Sequence, residues 1–191
     1  MKIPSGIIGR WARNFSENFR LELPEIPAGF LKPGKWTMRL SERFTEKCII
    51  VDSQKPNKRE MIEEMVNLLC QAYEIENRDG ILKAVLGREE KISTGIGCGL
   101  AVPHGKVDFL DKMAVVACSV KRGIDFEAID KEPVFLLFLI VSPANTTGPH
   151  IRALSAISRI MADADIRKSL IAANSPVEFY ANLKIGEEKY T

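Results

Sequence analysis

Apolar residues recur along this chain with two periods, and the change of period marks its elements. After Pro56, Met61, Ile62, Met65, Val66, Leu68 and Leu69 fall on one face of a helix. Asn57 with Glu60 three residues on gives that helix a capping start. Ile81, Leu82, Val85 and Leu86 predict a second helix from about Asp79 to Arg88. The pattern then turns strand-like: Lys112 to Val120 and Pro133 to Ser142 read as strands, the latter apolar on both faces and therefore central in a sheet. Ile151, Leu154, Ile157, Ile160 and Met161 return to helical spacing behind Pro149-His150, a start that suits a residue with no amide hydrogen. Ser175-Pro176 with Glu178 opens a last helix. Helices lead, strands occupy the middle and helices close, which predicts one α/β domain with helices covering a mixed sheet.

Residues 1 to 37 break this regularity. Pro4, Pro24, Pro27 and Pro33 with Gly6, Gly9, Gly29 and Gly34 interrupt any long element, and six cations against three anions leave the segment at +3. Ile8, Trp11, Phe15 and Phe19 recur within it at helical spacing, as in a short amphipathic helix that docks on its own domain, a partner or a membrane surface. Met38-Arg39-Leu40-Ser41 looks like a second beginning. The chain is therefore divided into an extension, 1–37, and a domain, 38–191.

Composition narrows the function by exclusion. The 191 residues carry 27 basic and 25 acidic side chains, so no nucleic-acid footprint stands out. Cys48, Cys70, Cys98 and Cys118 form no C-x-x-C pair, which favours reduced thiols and a cytoplasmic setting. The longest apolar run, Val134 to Val141, is too short to cross a bilayer, and no signal-peptide pattern opens the chain.

Candidate chemistry gathers at Ser93-Thr94-Gly95-Ile96-Gly97-Cys98-Gly99-Leu100-Ala101-Val102-Pro103-His104-Gly105. The run lacks both the dinucleotide fingerprint and the G-K-[ST] of a nucleotide loop. Two readings stay open for its glycines: a tight turn, or amides aimed at an anion beside the Thr94 hydroxyl. His104 ends the run at an expected sheet edge, within reach of a small anionic group. Imidazole is nucleophilic near neutral pH and its phosphorylated form keeps a reactive P–N bond. Arg88 supplies a two-donor fork, and His150 sits in a first helical turn, where unpaired amides favour phosphate. Each has a plainer alternative: a surface histidine, a solvated helix end at Arg88-Glu89-Glu90, a helix residue without duty. Two histidines with only Cys98 nearby supply too few ligands for zinc, and Cys98 has no neighbouring base in sequence.

Taken together, Arg88-Glu89-Glu90, Ser93 to Gly97, Gly99 to Gly105, Gly123-Ile124-Asp125-Phe126, Asp130 to Val134 and His150 to Ser155 resemble the enzyme IIA components of the bacterial phosphoenolpyruvate phosphotransferase system. The likeness is to the fructose/mannitol class, and most of all to its nitrogen-regulatory branch. It implies a five-stranded mixed sheet flanked by helices, no metal or organic cofactor, and His104 as the residue phosphorylated by HPr or its nitrogen-branch counterpart. Arg88 and His150 match positions that steady the phosphate in that family, and Thr94 is a further phosphate-stabilising candidate. The acceptor is then a regulated target protein or the cysteine of an enzyme IIB. A binding module on the same fold, without transfer, is the alternative of a different class.

Overall fold

The computed structural model describes residues 39–189. The extension with its Ile8, Trp11, Phe15 and Phe19 pattern, and the boundary expected at 37/38, lie outside the described residues. Two short 3-10 turns, Leu40–Glu42 and Glu46–Cys48, lead into β1 (Ile49–Ile50). The helix α1 (Lys58–Ala72) begins where expected, with the Asn57 side chain accepting the Glu60 amide hydrogen. Next comes α2 (Arg78–Glu89), capped by Asn77. The strands β2 (Gly95–Gly97), β3 (Leu100–Ala101), β4 (His104–Val107), β5 (Ala114–Ile124) and β6 (Val134–Pro143) follow. The chain closes with α3 (Gly148–Met161), α4 (Ala164–Ala172) and α5 (Pro176–Glu188), the last capped by Ser175 as its sequence requires.

The sheet runs β1-β5-β6-β3-β2, with β4 also paired to β6, which makes six strands by count. The register makes five: Leu100 pairs with Leu136, Ala101 with Leu137, His104 with Ile140 and Gly105 with Val141, one constant offset throughout. So β3 and β4 are halves of one strand, interrupted at Val102-Pro103, where proline has no amide hydrogen for the ladder. β5 and β6 form the long antiparallel centre, and β1 and the β3/β4 strand lie parallel to their neighbours, so the sheet is mixed.

Both faces are covered, as the two-sided apolar pattern of β6 demands. Cys118 and Leu137 are directly paired and share a face, and Cys118 Sγ lies 3.7 Å from Met61 Sδ on α1. Phe138 points the other way and meets Phe179 of α5, ring centroids 6.5 Å apart. Gly105, on the α1 face, is crossed by α2 so closely that a Cβ would stand 3.1 Å from Val85 N. The order predicted from the sequence therefore holds, and the structure adds the two-residue β1, the short β2, the β3/β4 strand through the glycine run and the nine-residue α4, all short pieces in which periodicity says little. The strand expected over Lys112 to Val120 runs on to Ile124.

The beginning and end of the described fold are fastened together. Glu187 on α5 accepts hydrogen bonds from the Leu40 amide, the Ser41 amide at 3.1 Å and the Ser41 hydroxyl. Tyr180 donates to the Ser41 carbonyl at 2.7 Å. Leu40 is fully buried, so the turn that carries it belongs to the core.

Candidate functional site

His104 is the first residue of β4, and its pairing with Ile140 sets its side chain on the face covered by α3 and α5. The ring nitrogen Nδ1 lies 2.8 Å from the Val102 carbonyl oxygen. A carbonyl only accepts, so Nδ1 carries the hydrogen and the lone pair of the neutral ring resides on Nε2. The strand is held on both sides of this point, since the Pro103 carbonyl accepts the Ile140 amide hydrogen at 3.0 Å and the Val102 amide donates to the Thr94 carbonyl at 3.0 Å, while the Val102 carbonyl meets the ring two residues on.

His150 faces it from the first turn of α3. The two ring centroids are 5.3 Å apart and the planes are tilted by 57°. Ser142, two residues beyond Ile140 on the same face of β6, holds His150 Nδ1 at 2.9 Å through its hydroxyl. Sequence reasoning placed His104 and His150 together and missed Ser142. The available signal was a fully buried hydroxyl at the strand period from Ile140, in a run otherwise apolar.

One expectation about His104 is corrected. The ring was expected open at a sheet edge; it is 1% exposed, and His150 is 2% exposed. The packing of α3 over β4 and β6 encloses both rings, yet the partners of His104 include a carbonyl and a second imidazole, so the burial is polar in character.

Arg88 lies at the C-terminal end of α2, buried, with Nη1 donating to the Ile92 carbonyl at 2.9 Å. Its neighbour Glu89 is no solvated helix end: it is buried too, whereas Glu90 is exposed. Glu89 accepts from the Thr94 amide at 3.0 Å and from the Thr94 hydroxyl, and Lys58 Nζ stands 2.7 Å from Oε1. The Lys58 ammonium also reaches Glu127 at 2.8 Å and lies 4.9 Å above the Phe126 ring. Burial lowers the Lys58 pKa, but Glu127 and Glu89 outweigh it and hold the group above its ordinary value.

The glycine run resolves into a hairpin. Gly97, Cys98 and Gly99 all have positive φ, which accounts for two of the glycines and sets β2 against β3. Its amides are engaged within the protein: Thr94 by Glu89, Gly95 by Ser93 Oγ at 3.2 Å, Cys98 by Asp130 Oδ2 at 2.8 Å. The tight-turn reading accounts for these three amides, and the hydroxyl of Thr94 is directed at a carboxylate. Cys48, Cys70, Cys98 and Cys118 are free thiols. No group of three or more metal-ligating side chains occurs among the described residues, nor a helix long and apolar enough to cross a membrane.

Comparison with known proteins shows what the chain is similar to. Residues 42–185 match the family model described as "Phosphoenolpyruvate-dependent sugar phosphotransferase system, EIIA 2". The chain is 37% identical to the PTS system fructose-specific EIIA component of Haloferax volcanii, over 66% of this chain and 82% of that one. It is 31% identical to a nitrogen regulatory protein of Bradyrhizobium diazoefficiens, over 78% of this chain and 96% of that one. Against the longer fructose-specific EIIABC component of Bacillus subtilis, 34% identical, it spans 22% of the relative's length. The crystal structure of the nitrogen regulatory protein IIA-Ntr from Neisseria meningitidis superposes with a TM-score of 0.70 at 28% identity, covering 75% of this chain and 98% of that one. The chain thus belongs to the type 2 EIIA family of the phosphoenolpyruvate-dependent sugar phosphotransferase system.

Proposed function

We propose that this protein is a cytoplasmic phosphocarrier that takes a phosphoryl group onto Nε2 of His104 from the phosphohistidine of HPr or a nitrogen-branch HPr-like carrier. The observation that supports it is the Nδ1 contact with the Val102 carbonyl, which leaves the lone pair on Nε2. In the transfer, that lone pair forms the new N–P bond as the donor's N–P bond breaks, and the bonding electrons return to the donor ring nitrogen. Little covalent work remains for the protein beyond position and positive electrostatics. His150, 5.3 Å away and held by Ser142, is suited to donate a hydrogen bond to the transferred oxygens. Arg88 contributes its charge from the end of α2. Thr94 acts through its backbone and its bond to Glu89, since its hydroxyl hydrogen is engaged there. Because the His104 ring is buried, transfer includes a step that opens it to the donor.

The downstream role we favour is nitrogen-regulatory: binding of other proteins changes with the charge on His104. The 31% identity that extends over 96% of a nitrogen regulatory protein supports it. Transfer onward to an enzyme IIB cysteine is the second reading, favoured by the 37% identity to a fructose-specific EIIA component. Incubation with enzyme I, a cognate carrier and phosphoenolpyruvate tests the shared step: an acid-labile, base-stable label is expected, and it is lost in His104→Ala. A label that persists in that variant moves the nucleophile elsewhere. Adding a purified enzyme IIB then separates the two roles, since only the transport reading drains the label.

A further inference from the structure

Glu89 occupies an unfavourable place: a carboxylate at the C-terminal end of α2, where the helix dipole repels negative charge, and 7% exposed. Such a group persists when it is paired and hydrogen-bonded. Here the partners form a continuous chain. Lys58 Nζ meets Glu89 Oε1 at 2.7 Å, and the same carboxylate accepts both the amide and the hydroxyl of Thr94. The Thr94 carbonyl accepts the Val102 amide hydrogen at 3.0 Å. The Val102 carbonyl accepts the Nδ1 hydrogen of His104 at 2.8 Å. At Thr94 and at Val102 both the amide and the carbonyl are thereby used, one toward the ion pair and one toward the ring.

We propose that Glu89, held by Lys58, is a positioning residue for the phosphoacceptor: through Thr94 and Val102 it fixes the carbonyl that sets the His104 tautomer. This rests on the reading of His104 as phosphoacceptor for its effect on rate, but not for its effect on the ring. Loss of the Glu89 charge frees the Thr94 segment, lets the Val102 carbonyl drift and allows the hydrogen to move to Nε2, where it blocks attack.

The test uses the full chain with Glu89→Gln and, as a variant that removes only the hydroxyl link, Thr94→Val. Nitrogen-15 NMR of the His104 ring reports the tautomer directly. Wild type is expected to show one form with hydrogen on Nδ1; both variants are expected to show a mixture. Labelling from phosphoenolpyruvate through enzyme I and an HPr-type carrier is expected to slow about 10- to 100-fold in Glu89→Gln, since small misplacements of a reacting group cost that much. Thr94→Ser, which keeps the hydroxyl, is expected to restore the wild-type tautomer and rate. A folded Glu89→Gln and Thr94→Val with an unchanged single tautomer and wild-type labelling overturn the proposal. Absence of label in the wild type, with the tautomer shifting as described, instead overturns the phosphoacceptor reading and leaves the positioning role standing.

Discussion

Gly105 lies close under Val85: a Cβ at residue 105 would stand 3.1 Å from Val85 N and 3.2 Å from the Ala84 carbonyl carbon, so that backbone would have to yield by a few tenths of an ångström. The glycine that follows His104 thus lets α2 pack closely on β4, with Arg88 and Glu89 at the end of that helix. Gly105→Ala is expected to push α2 outward and to destabilise the fold by about 1–3 kcal/mol, the range for overpacking. Urea unfolding followed by far-UV circular dichroism measures this; a midpoint equal to wild type would show that the helix gives way freely.

His150→Ala and Arg88→Lys separate two kinds of help at the site. Removing His150 takes away the ring opposite His104 and is expected to slow labelling while leaving it possible. Arg88→Lys keeps a positive charge but loses the planar fork that also holds the Ile92 carbonyl, so a further loss of about tenfold or more is expected. Single-turnover labelling at varied carrier concentration distinguishes a slower transfer from weaker docking.

Asp163 gives the fold an acid-sensitive point. Burial raises its pKa, but the Asp165 and Ile166 amides and Lys189 outweigh that and hold its carboxyl below the usual range. With the folded value depressed, its contribution is present above an unfolded value of about 3.9 and disappears as pH falls through the folded one. Asp163→Ala is expected to cost about 0.5–2 kcal/mol at pH 7, as for other helix caps. The gap from wild type should narrow as pH falls from about 3.9 through the depressed folded value, below which both chains lack the charge. Thermal unfolding at pH 7 and pH 3 checks the sign.

Lys58 behaves in the opposite sense. Its folded pKa is raised by Glu127 and Glu89, so its contribution is fully present below an unfolded value of about 10.4 and is lost as pH climbs through the folded value. Lys58→Met is expected to flatten alkaline stability loss between about pH 10 and pH 12 relative to wild type. Because the same lysine holds Glu89, the variant should also broaden the His104 tautomer distribution at neutral pH.

Glu187 anchors the first turn of the described residues. Glu187→Ala removes the acceptor for the Leu40 amide, a buried donor, at an expected cost of about 1–3 kcal/mol. Amide exchange of Leu40 and Ser41 reads the effect where it arises, and protection there equal to wild type would assign their order to other contacts.

How far the sequence spoke depended on how local each feature is. Asn57 and Ser175 announced their helices because a cap is decided within four residues, and both side chains make the predicted bond. The central β6 was evident because burial on both faces leaves no polar alternation. The pairing of Glu89 with Lys58 was invisible, since it joins α2 to α1 across 31 residues of chain. The plainer alternative of a solvated helix end fails at Glu89 because Lys58 from α1 and Thr94 five residues on both engage its carboxylate. Cys98 could be placed in a turn but not oriented; Asp130, far along the chain, takes its amide hydrogen.

The bond network between Glu187 and the Leu40 turn brings the polypeptide into and out of this unit at a single place. A body whose entrance and exit adjoin can be spliced into a longer chain without tearing its core, since its ends need not be pulled apart. That geometry suits a cassette, and in the EIIABC component of Bacillus subtilis the stretch similar to this protein is one part of a much longer polypeptide.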